Sequence, residues 1–547
     1  KRERFIDPLS SNSTSKTLGE DKELAGDLYL VKGESTNWDV QVGAYFSKVF
    51  GGHAINASAV MNTTSRFSES TSSHYRGFPS GEYHSPNYAA EITVKPNKTQ
   101  SASRLAGFLL MANYTWNDIY LADVSARFDG SSEFGLDQKW APFWSLGTGI
   151  NVHKYSFLRN SKIINRVKLR VSYGQTGKVN FPSYSARTVY KTFDRWYISG
   201  FGVALKALGN RDLKWETTNK LNVGTDMEFW DNRISFVFDY YYNKTVDLIT
   251  DVTLPGSSGF SSYKSNLGET LNKGFDIQFR FDVMKDKDWN VALWGNLNHN
   301  KNEILKVSDA LKAYNSQVNE HYELAEESQK PTTAWSNAGK TYEDFIKPVM
   351  KYEDGASLTA IYGVRSLGID PTNGKELYLY RNGKVSNVWK ASEEVVLGDT
   401  EPKASGSFGI NATYKNFSLF VAFAYEWGKQ TYNETLIMNV ENADIQGSNV
   451  DKRVLTQRWE KPGDIAPLKD IQDMNSVTLP TSRFVQDENV LSMSALNLSY
   501  DFNPAWLRKI YLKTLRLEAS TNELFRLSTI KQERGTSYPF ARTVNFS

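Results

Sequence analysis

The sequence predicts an all-β fold, a transmembrane antiparallel β-barrel, and three observations point there. Long segments alternate apolar and polar residues. Short and long connections largely alternate between those segments. Aromatic residues reach 13% of the chain. Residues 272–304 show the alternation: Phe275, Ile277, Phe279, Phe281 and Val283 are apolar, while Asp276, Gln278, Arg280 and Asp282 between them are polar or charged. The same two-faced pattern marks roughly sixteen candidate strands, taken in order. Near the start they are 27–33, 38–47, 54–63, 103–114, 118–128, 143–152 and 167–174. The middle contributes 220–230, 233–243, 274–283 and 289–300. The last part contributes 405–414, 417–427, 492–502, 512–522 and 543–547. Many run near the nine to eleven residues or so that a tilted strand needs to cross a bilayer, against about five or six in ordinary sheets.

The connections follow a matching logic. VFGG, YKN before Phe417 and FWDNR around Asp231 are tight. Residues 66–100, 175–216, 248–271, 301–403 and 428–488 read as long connections. Outer-membrane barrels place short turns on the periplasmic side and long loops outside. Tyr173, Tyr240 to Tyr242, Tyr414, Tyr425, Trp427 and Tyr500 fall near the ends of the candidate strands, where an aromatic girdle would lie. A soluble β-sandwich gives the same periodicity, so strand length, loop alternation and aromatic content separate the two readings.

Composition narrows the remaining classes. The chain has 547 residues, 40% hydrophobic, a formal net charge of +3 and no cysteine. This is too apolar for a disordered chain, and the charge balance gives no reason to expect nucleic-acid binding. Disulfides, thiolate metal sites and cysteine nucleophiles are excluded. No apolar run is long enough for a transmembrane helix. The opening KRERFIDPLSS lacks the apolar core of a signal peptide.

Several stretches, in order, carry a resemblance. SARFDGSSEFG with WAPFWSLGTGINV, VKLRVSYGQTGKVNF, NRDLKWETTNKLNVGTD, YYNKTVDLI and GFSSYKSNLGETLNKGFDIQ come first. YGVRSLGIDPTNGKELYL, GDTEPKASGSFG, YKNFSLFVAFAYEWG, RWEKPGD, SRFVQDENVLSMSALNLSYDF and STNELFRLS follow. Together they resemble the SusC/RagA-type TonB-dependent outer-membrane transporters over nearly the whole chain from about Trp38. Trp144 stands where that family usually has Pro, Lys178 where it has Asn, and Arg211 where it has Pro. The resemblance implies a barrel of roughly 22 strands, of which about sixteen are seen here, in a protein about twice this long. By this reading residues 1–547 are barrel throughout, with the plug, the TonB box, the first strands and the last few residues outside the chain. It implies TonB-energised import of oligosaccharides or oligopeptides across the outer membrane of a Gram-negative bacterium of the Bacteroidota. Its partners would be a SusD-like surface lipoprotein and TonB with ExbB and ExbD. Lipid bilayer and lipopolysaccharide would surround it, and two transporter–lipoprotein pairs would form a dimer. Two other readings stand beside it: a barrel of this type serving as a scaffold subunit, and a soluble β-rich surface binding protein.

No motif argues for an enzyme, a metal or a cofactor. The six histidines show no metal-ligand spacing. His53, in the FGGH turn, is expected to be structural. DPTNGKE and DGSSEFG depart from a calcium-loop pattern and read as turns. The polar strand faces place Asp123, Arg127, Arg170, Asp226, Glu228, Asp239, Asp276, Arg280, Asp282, Glu426, Arg516 and Glu518 toward a lumen. Trp196, Tyr197 and Trp335 are the loop aromatics expected to meet substrate, since exposed rings stack on sugars or peptide side chains.

Overall fold

The computed structural model describes residues 2–10, 24–135, 138–178, 181, 184–197, 200–253, 262–307, 309–327, 343–443, 450–470, 478–530 and 544–546. The chain begins with β1 (Arg2–Ile6), β2 (Asp27–Phe50), β3 (His53–Arg76), β4 (Glu91–Trp116), β5 (Tyr120–Ser131), β6 (Trp140–Asn151) and β7 (Ile164–Lys178). A hairpin of β8 (Val189–Tyr197) and β9 (Gly200–Ala207) precedes β10 (Glu216–Phe229) and β11 (Ile234–Val246). A second hairpin, β12 (Ile249–Thr253) and β13 (Ser262–Asn266), leads to β14 (Glu269–Lys285) and β15 (Trp289–Lys306). Helix α1 (Asp309–Glu327) comes next, then β16 (Ala360–Gly363), β17 (Arg365–Ile369), β18 (Glu376–Leu379), β19 (Val385–Ser386) and β20 (Val395–Asp399). The chain returns through β21 (Ala404–Tyr414), β22 (Phe417–Tyr432), β23 (Val485–Asp501), β24 (Arg516–Thr521), β25 (Arg526–Ser528) and β26 (Val544–Phe546).

A 17-stranded sheet holds β1–β7, β10, β11, β14, β15 and β21–β26. Among the described residues every strand pairing in it is antiparallel, and its long strands pair in the order in which they follow along the chain. β8–β9, β12–β13 and β16–β20 are small separate sheets inside the connections. The tight turns share one end of the large sheet. Their residues include Gly51, Asn117, Asp118, Trp230, Asp231, Asn232 and Lys415, all at positive φ. Left-handed backbone closes a hairpin with the twist the strands require, and Gly51 takes it without a Cβ penalty.

The strands depart most from the sequence reading in three places. Segments 27–33 and 38–47 are one continuous β2, paired with β3 from Asp27↔Arg76 to Phe50↔His53. Most of 66–100 is strand rather than connection, because β3 continues to Arg76 and β4 begins at Glu91. Residues 34–37, 68–73 and 95–100 are polar on both faces, so alternation could not report them. Segment 512–522 shortens to β24, and the helix Pro504–Lys509 occupies the turn before it.

Register sorts the side chains onto two faces. Phe229, Ile234, Phe281, Leu293, Ile410, Val421 and Leu496 lie opposite one another on successive strands. Val42, Leu110, Val124 and Leu146 share this apolar face and stay 51–66% exposed. A continuous exposed apolar face of this kind suits lipid contact. At the tight-turn end its aromatics touch in series. Phe50, Tyr114 and Trp116 stack around His53, and Trp116 stacks on Tyr120, which meets Tyr155. Trp289–Tyr414, Phe417–Tyr500 and Tyr500–Phe502 continue the series farther round. His53 sits inside this stack with Nδ1 2.7 Å from the Tyr114 hydroxyl. Tyr173, Tyr240 and Tyr242 share the apolar face but lie within their strands, which run on past them. Tyr241 turns the other way and donates to Asn300 Oδ1 at 3.1 Å.

Candidate functional site

The polar face is a set of side chains that answer one another across strands. Arg170 on β7 reaches Asp226 on β10 at 3.2 Å and Asp239 on β11 at 2.7 Å. Between Arg170 and Asp239 lies Gly224, paired by register with both. A Cβ there would stand 2.4 Å from an Asp239 oxygen and 2.8 Å from the guanidinium carbon, so the bare glycine opens the path between them. Gly107 plays the same part on β4, where a Cβ would meet Asp129 at 2.4 Å and Asn62 at 2.8 Å. Arg127 pairs with Asp129 at 2.6 Å, Arg166 with Glu228 at 3.4 Å and Arg280 with Asp282 at 2.9 Å. Asp276 accepts from Asn298, and Glu518 from Asn497. Arg516 forks onto Asp501 with two 2.8 Å bonds, the planar match that guanidinium and carboxylate favour. Glu426 meets Lys429 at 2.6 Å. Asp123, Arg127, Arg170, Asp226, Glu228, Asp239, Asp276, Arg280, Asp282, Glu426, Arg516 and Glu518 therefore share one sheet face, distributed along the wall rather than gathered at a point.

Beyond the end opposite the tight turns, the two longest connections fold together. Val318 and Tyr322 of α1, Ile361 of β16, Tyr378 of β18 and Trp389 from one connection pack with Ile437, Leu479 and Phe484 from the other. Buried ions tie the unit. Arg483 bonds Glu376 at 2.8 Å, Glu441 at 2.6 Å and the Pro467 carbonyl at 2.6 Å. Burial pulls its pKa down, but the two carboxylates outweigh that and hold the guanidinium above its usual value. Lys351 contacts Glu394 and donates to Asn319 and the Ala391 carbonyl at 2.7 Å each. Burial pushes the Glu394 carboxyl up, and Lys351 offsets this only in part. Arg458, shifted down by burial, donates to the carbonyls of Val454 and Glu441 at 2.9 and 2.6 Å. Asp370 in DPTNGKE accepts from the Thr372 amide at 2.9 Å and hydroxyl at 2.7 Å, which holds its carboxyl low and shapes a turn closed by Gly374 at φ +71°.

A cleft of about 900 Å³ separates this unit from the ends of β15, β22 and β23. It exists because β21 is short: β15 pairs with β21 only up to Asn298↔Ser405 and then runs on to Lys306. Glu401 spans the gap and accepts from Asn300 and Asn302. His299 Nδ1 lies 2.6 Å from the Lys403 carbonyl, and the Asp399 amide donates to Gln430 at 3.1 Å. Sequence reading missed this cleft, although NHNKN and GDTEPK hold its polar groups. Trp196 and Tyr197 end β8 opposite Phe201 and Gly200, and their side chains lie outside the described residues, as does all of Trp335. Among the described residues no three His, Asp or Glu side chains converge as a metal site.

Comparison with known proteins fits this geometry. Residues 4–443 match the family model described as TonB dependent receptor-like, beta-barrel. The TonB-dependent receptor P3 of Formosa agariphila is 29% identical over 88% of this chain and 47% of its own length. The TonB-dependent receptor SusC of Bacteroides thetaiotaomicron is 31% identical over 43% of this chain and 24% of its own. The RagAB peptide transporter superposes with a TM-score of 0.76 at 22% identity, covering 92% of this chain and 53% of the other, which is a likeness of fold. The chain spans about half the length of the curated relatives it matches.

Proposed function

The chain belongs to the TonB-dependent receptor-like β-barrel family of the outer membrane, and from that premise we propose that it forms the wall of an active importer of oligosaccharides or oligopeptides. The observation that carries this is the pairing of two faces on one continuous meander: apolar and aromatic outside, a ladder of charges inside, long folded connections at one end. A polar inner face suits a wet lumen or a packed polar plug. Arg127, Arg170, Asp239, Asp276, Arg280, Arg516 and Glu518 line it in this reading. The family is one of receptors and transporters rather than enzymes. The work is then a shift between closed and open states, with the energy entering through TonB pulling on a plug. Residues 1–547 are barrel in this reading, and further strands and the plug belong to the same, longer protein, whose relatives are about twice as long. Such strands would also pair the sheet edges, which lipid cannot satisfy. A SusD-like lipoprotein covers the folded connections, and Trp196, Tyr197 and Trp335 meet the substrate there.

The test is mass spectrometry of the particle extracted natively in detergent, read for intact masses and peptides, beside uptake by a strain lacking the gene. Upstream plug peptides, a co-purifying lipoprotein and loss of growth on one oligosaccharide or oligopeptide class are expected. A particle with no plug sequence and unchanged growth would sink the importer reading and favour a scaffold role.

A further inference from the structure

We propose that a hollow on the inner wall, between β11 and β22, seats an apolar side chain of the plug and holds the plug at rest. This rests on the importer reading, in which a plug fills the lumen, as in other barrels of about 22 strands. The hollow measures about 490 Å³ and is lined by Ser235, Val237, Gln278, Trp294, Asn411 and Phe420. It lies in the half of the wall nearer the tight turns. Register puts its lining on the polar face: Trp294 lies opposite Arg280 and Gly409, and Phe420 opposite Asn411 and Asn497. The two rings interrupt the polarity of that face. Their planes are 6° apart with centroids at 6.1 Å, and Phe420 is 37% exposed. Gly409 makes room for the indole, since a Cβ there would stand 2.7 Å from its Cζ2. Ala422 and Ala424, opposite Gly409 and Ser407, are small and leave the wall low beside the rings.

The chemistry of the lining selects the occupant. Wet rings at Trp294 and Phe420 are unfavourable, and an apolar group laid on them and on Val237 removes that area from water. Most polar groups nearby are already engaged. Arg280 is held by Asp282 at 2.9 Å, and Asn296 accepts from the Ser407 amide at 2.8 Å and hydroxyl at 2.6 Å. Trp294 Nε1 and Asn411 Oδ1 have no hydrogen-bond partner but are closed off from solvent, so they do not answer a ligand's hydroxyls. Gln278 and Ser235 remain, with no side-chain hydrogen bond among the described residues. Two free polar groups beside three apolar ones suit a side chain carried on a peptide backbone. A sugar ring would leave most of its hydroxyls unpaired, which is costly. A protein segment that reaches the inner wall comes from within the lumen, and the length of the relatives leaves room for one, since this chain covers 47% of receptor P3. The seated side chain then acts as a detent. Pulling the plug away exposes it and the two rings to water, and that exposure is part of the work TonB performs.

The experiment uses the full-length receptor in detergent. Phe420 is replaced by benzoylphenylalanine, the resting receptor is irradiated, and the cross-linked peptides are identified by mass spectrometry. One plug segment, joined through an apolar side chain, is expected. In the receptor without the cross-linker, Trp294→Ala and Ala424→Trp are compared with the parent. The first removes a wall of the seat and the second fills it from β22. Each should speed hydrogen exchange of that plug segment roughly tenfold to a hundredfold, the effect of exposing one large apolar side chain. Val421→Ala, on the opposite face of the same strand, should leave the exchange unchanged. Heat-dependent gel migration reports whether each variant is folded, and the cross-link carries the test if neither is. Cross-links only to the lipoprotein, no cross-link to the plug, or unchanged exchange in the folded variants would overturn the seat while leaving the importer reading in place. A receptor whose peptides include no plug sequence would remove the importer reading and the seat with it.

Discussion

Arg483 is the side chain whose removal should be felt most. It holds Glu376, which lies 107 positions away, and Glu441 within a dry core, and it is itself 11% exposed in its side chain. Arg483→Leu leaves two buried carboxylates without their cation, a change that costs roughly 3–5 kcal/mol. The folded connections should then open while the sheet persists. Hydrogen exchange would show it as lost protection in β16–β18 with unchanged heat-dependent gel migration. Unaltered protection there would remove Arg483 from this role. Glu394 gives a different signature. Its carboxyl is raised above the ordinary 4.5 by burial. A raised acid takes up more protons folded than unfolded, so its contribution is full below the ordinary value and is lost as pH rises through the raised one. Protection of this unit, corrected for intrinsic exchange rates, should therefore fall as pH climbs from below 4.5 through the raised value. Glu394→Gln should flatten that slope, and an undiminished slope would assign it to another group.

At the scale of elements, the sequence revealed strands only where one face is greasy. β5, β10, β11 and β22 were legible to within a few residues because Phe, Tyr, Val and Leu alternate with Ser, Asp and Asn. Residues 34–37 of β2 and the outer halves of β3 and β4 were not, since polar residues fill most positions on both faces there and hydrogen bonding to the neighbouring strand holds them together. The folded connections were equally opaque: Arg483–Glu376 and Lys351–Glu394 join residues from distant segments, and no local period reports such a pair. The polar face could be read by counting in twos, but Gly224 could not. Its use depends on Arg170 and Asp239 lying on its two flanking strands. Turn glycines are more legible. Gly51 closes β2 onto β3 at φ +57°, and a Cβ there meets no atom within 4 Å. Backbone strain alone should act in Gly51→Val, about 1–2 kcal/mol, read as a lower urea midpoint for refolding into detergent. A midpoint equal to the parent's would mean that the turn adopts another conformation.

The whole molecule has a wet side and a lipid side, and one pair of neighbouring residues tests which is which. Val124 and Ser125 are adjacent on β5. Val124 lies opposite Ala112 and Leu146 on the apolar face and is 51% exposed. Ser125 faces the other way, its hydroxyl 2.7 Å from that of Ser145. Backbone, strand and depth are nearly the same for both, so a charge placed on either differs chiefly in the medium it meets. Arginine at Val124 would face hydrocarbon near mid-strand, a cost of about 2–4 kcal/mol. At Ser125 it would face the polar wall, where Asp123 lies two residues along the same strand face, and a long cation finds water or a carboxylate. The Val124→Arg receptor should therefore refold into lipid vesicles with a much lower urea midpoint, while Ser125→Arg stays near the parent. Both should behave alike in a soluble sheet whose apolar face packs against nothing. Equal losses in vesicles would remove the assignment of faces, a larger loss at Ser125 would reverse it, and either would undo the placing of Arg127, Arg170 and Asp239 toward the interior.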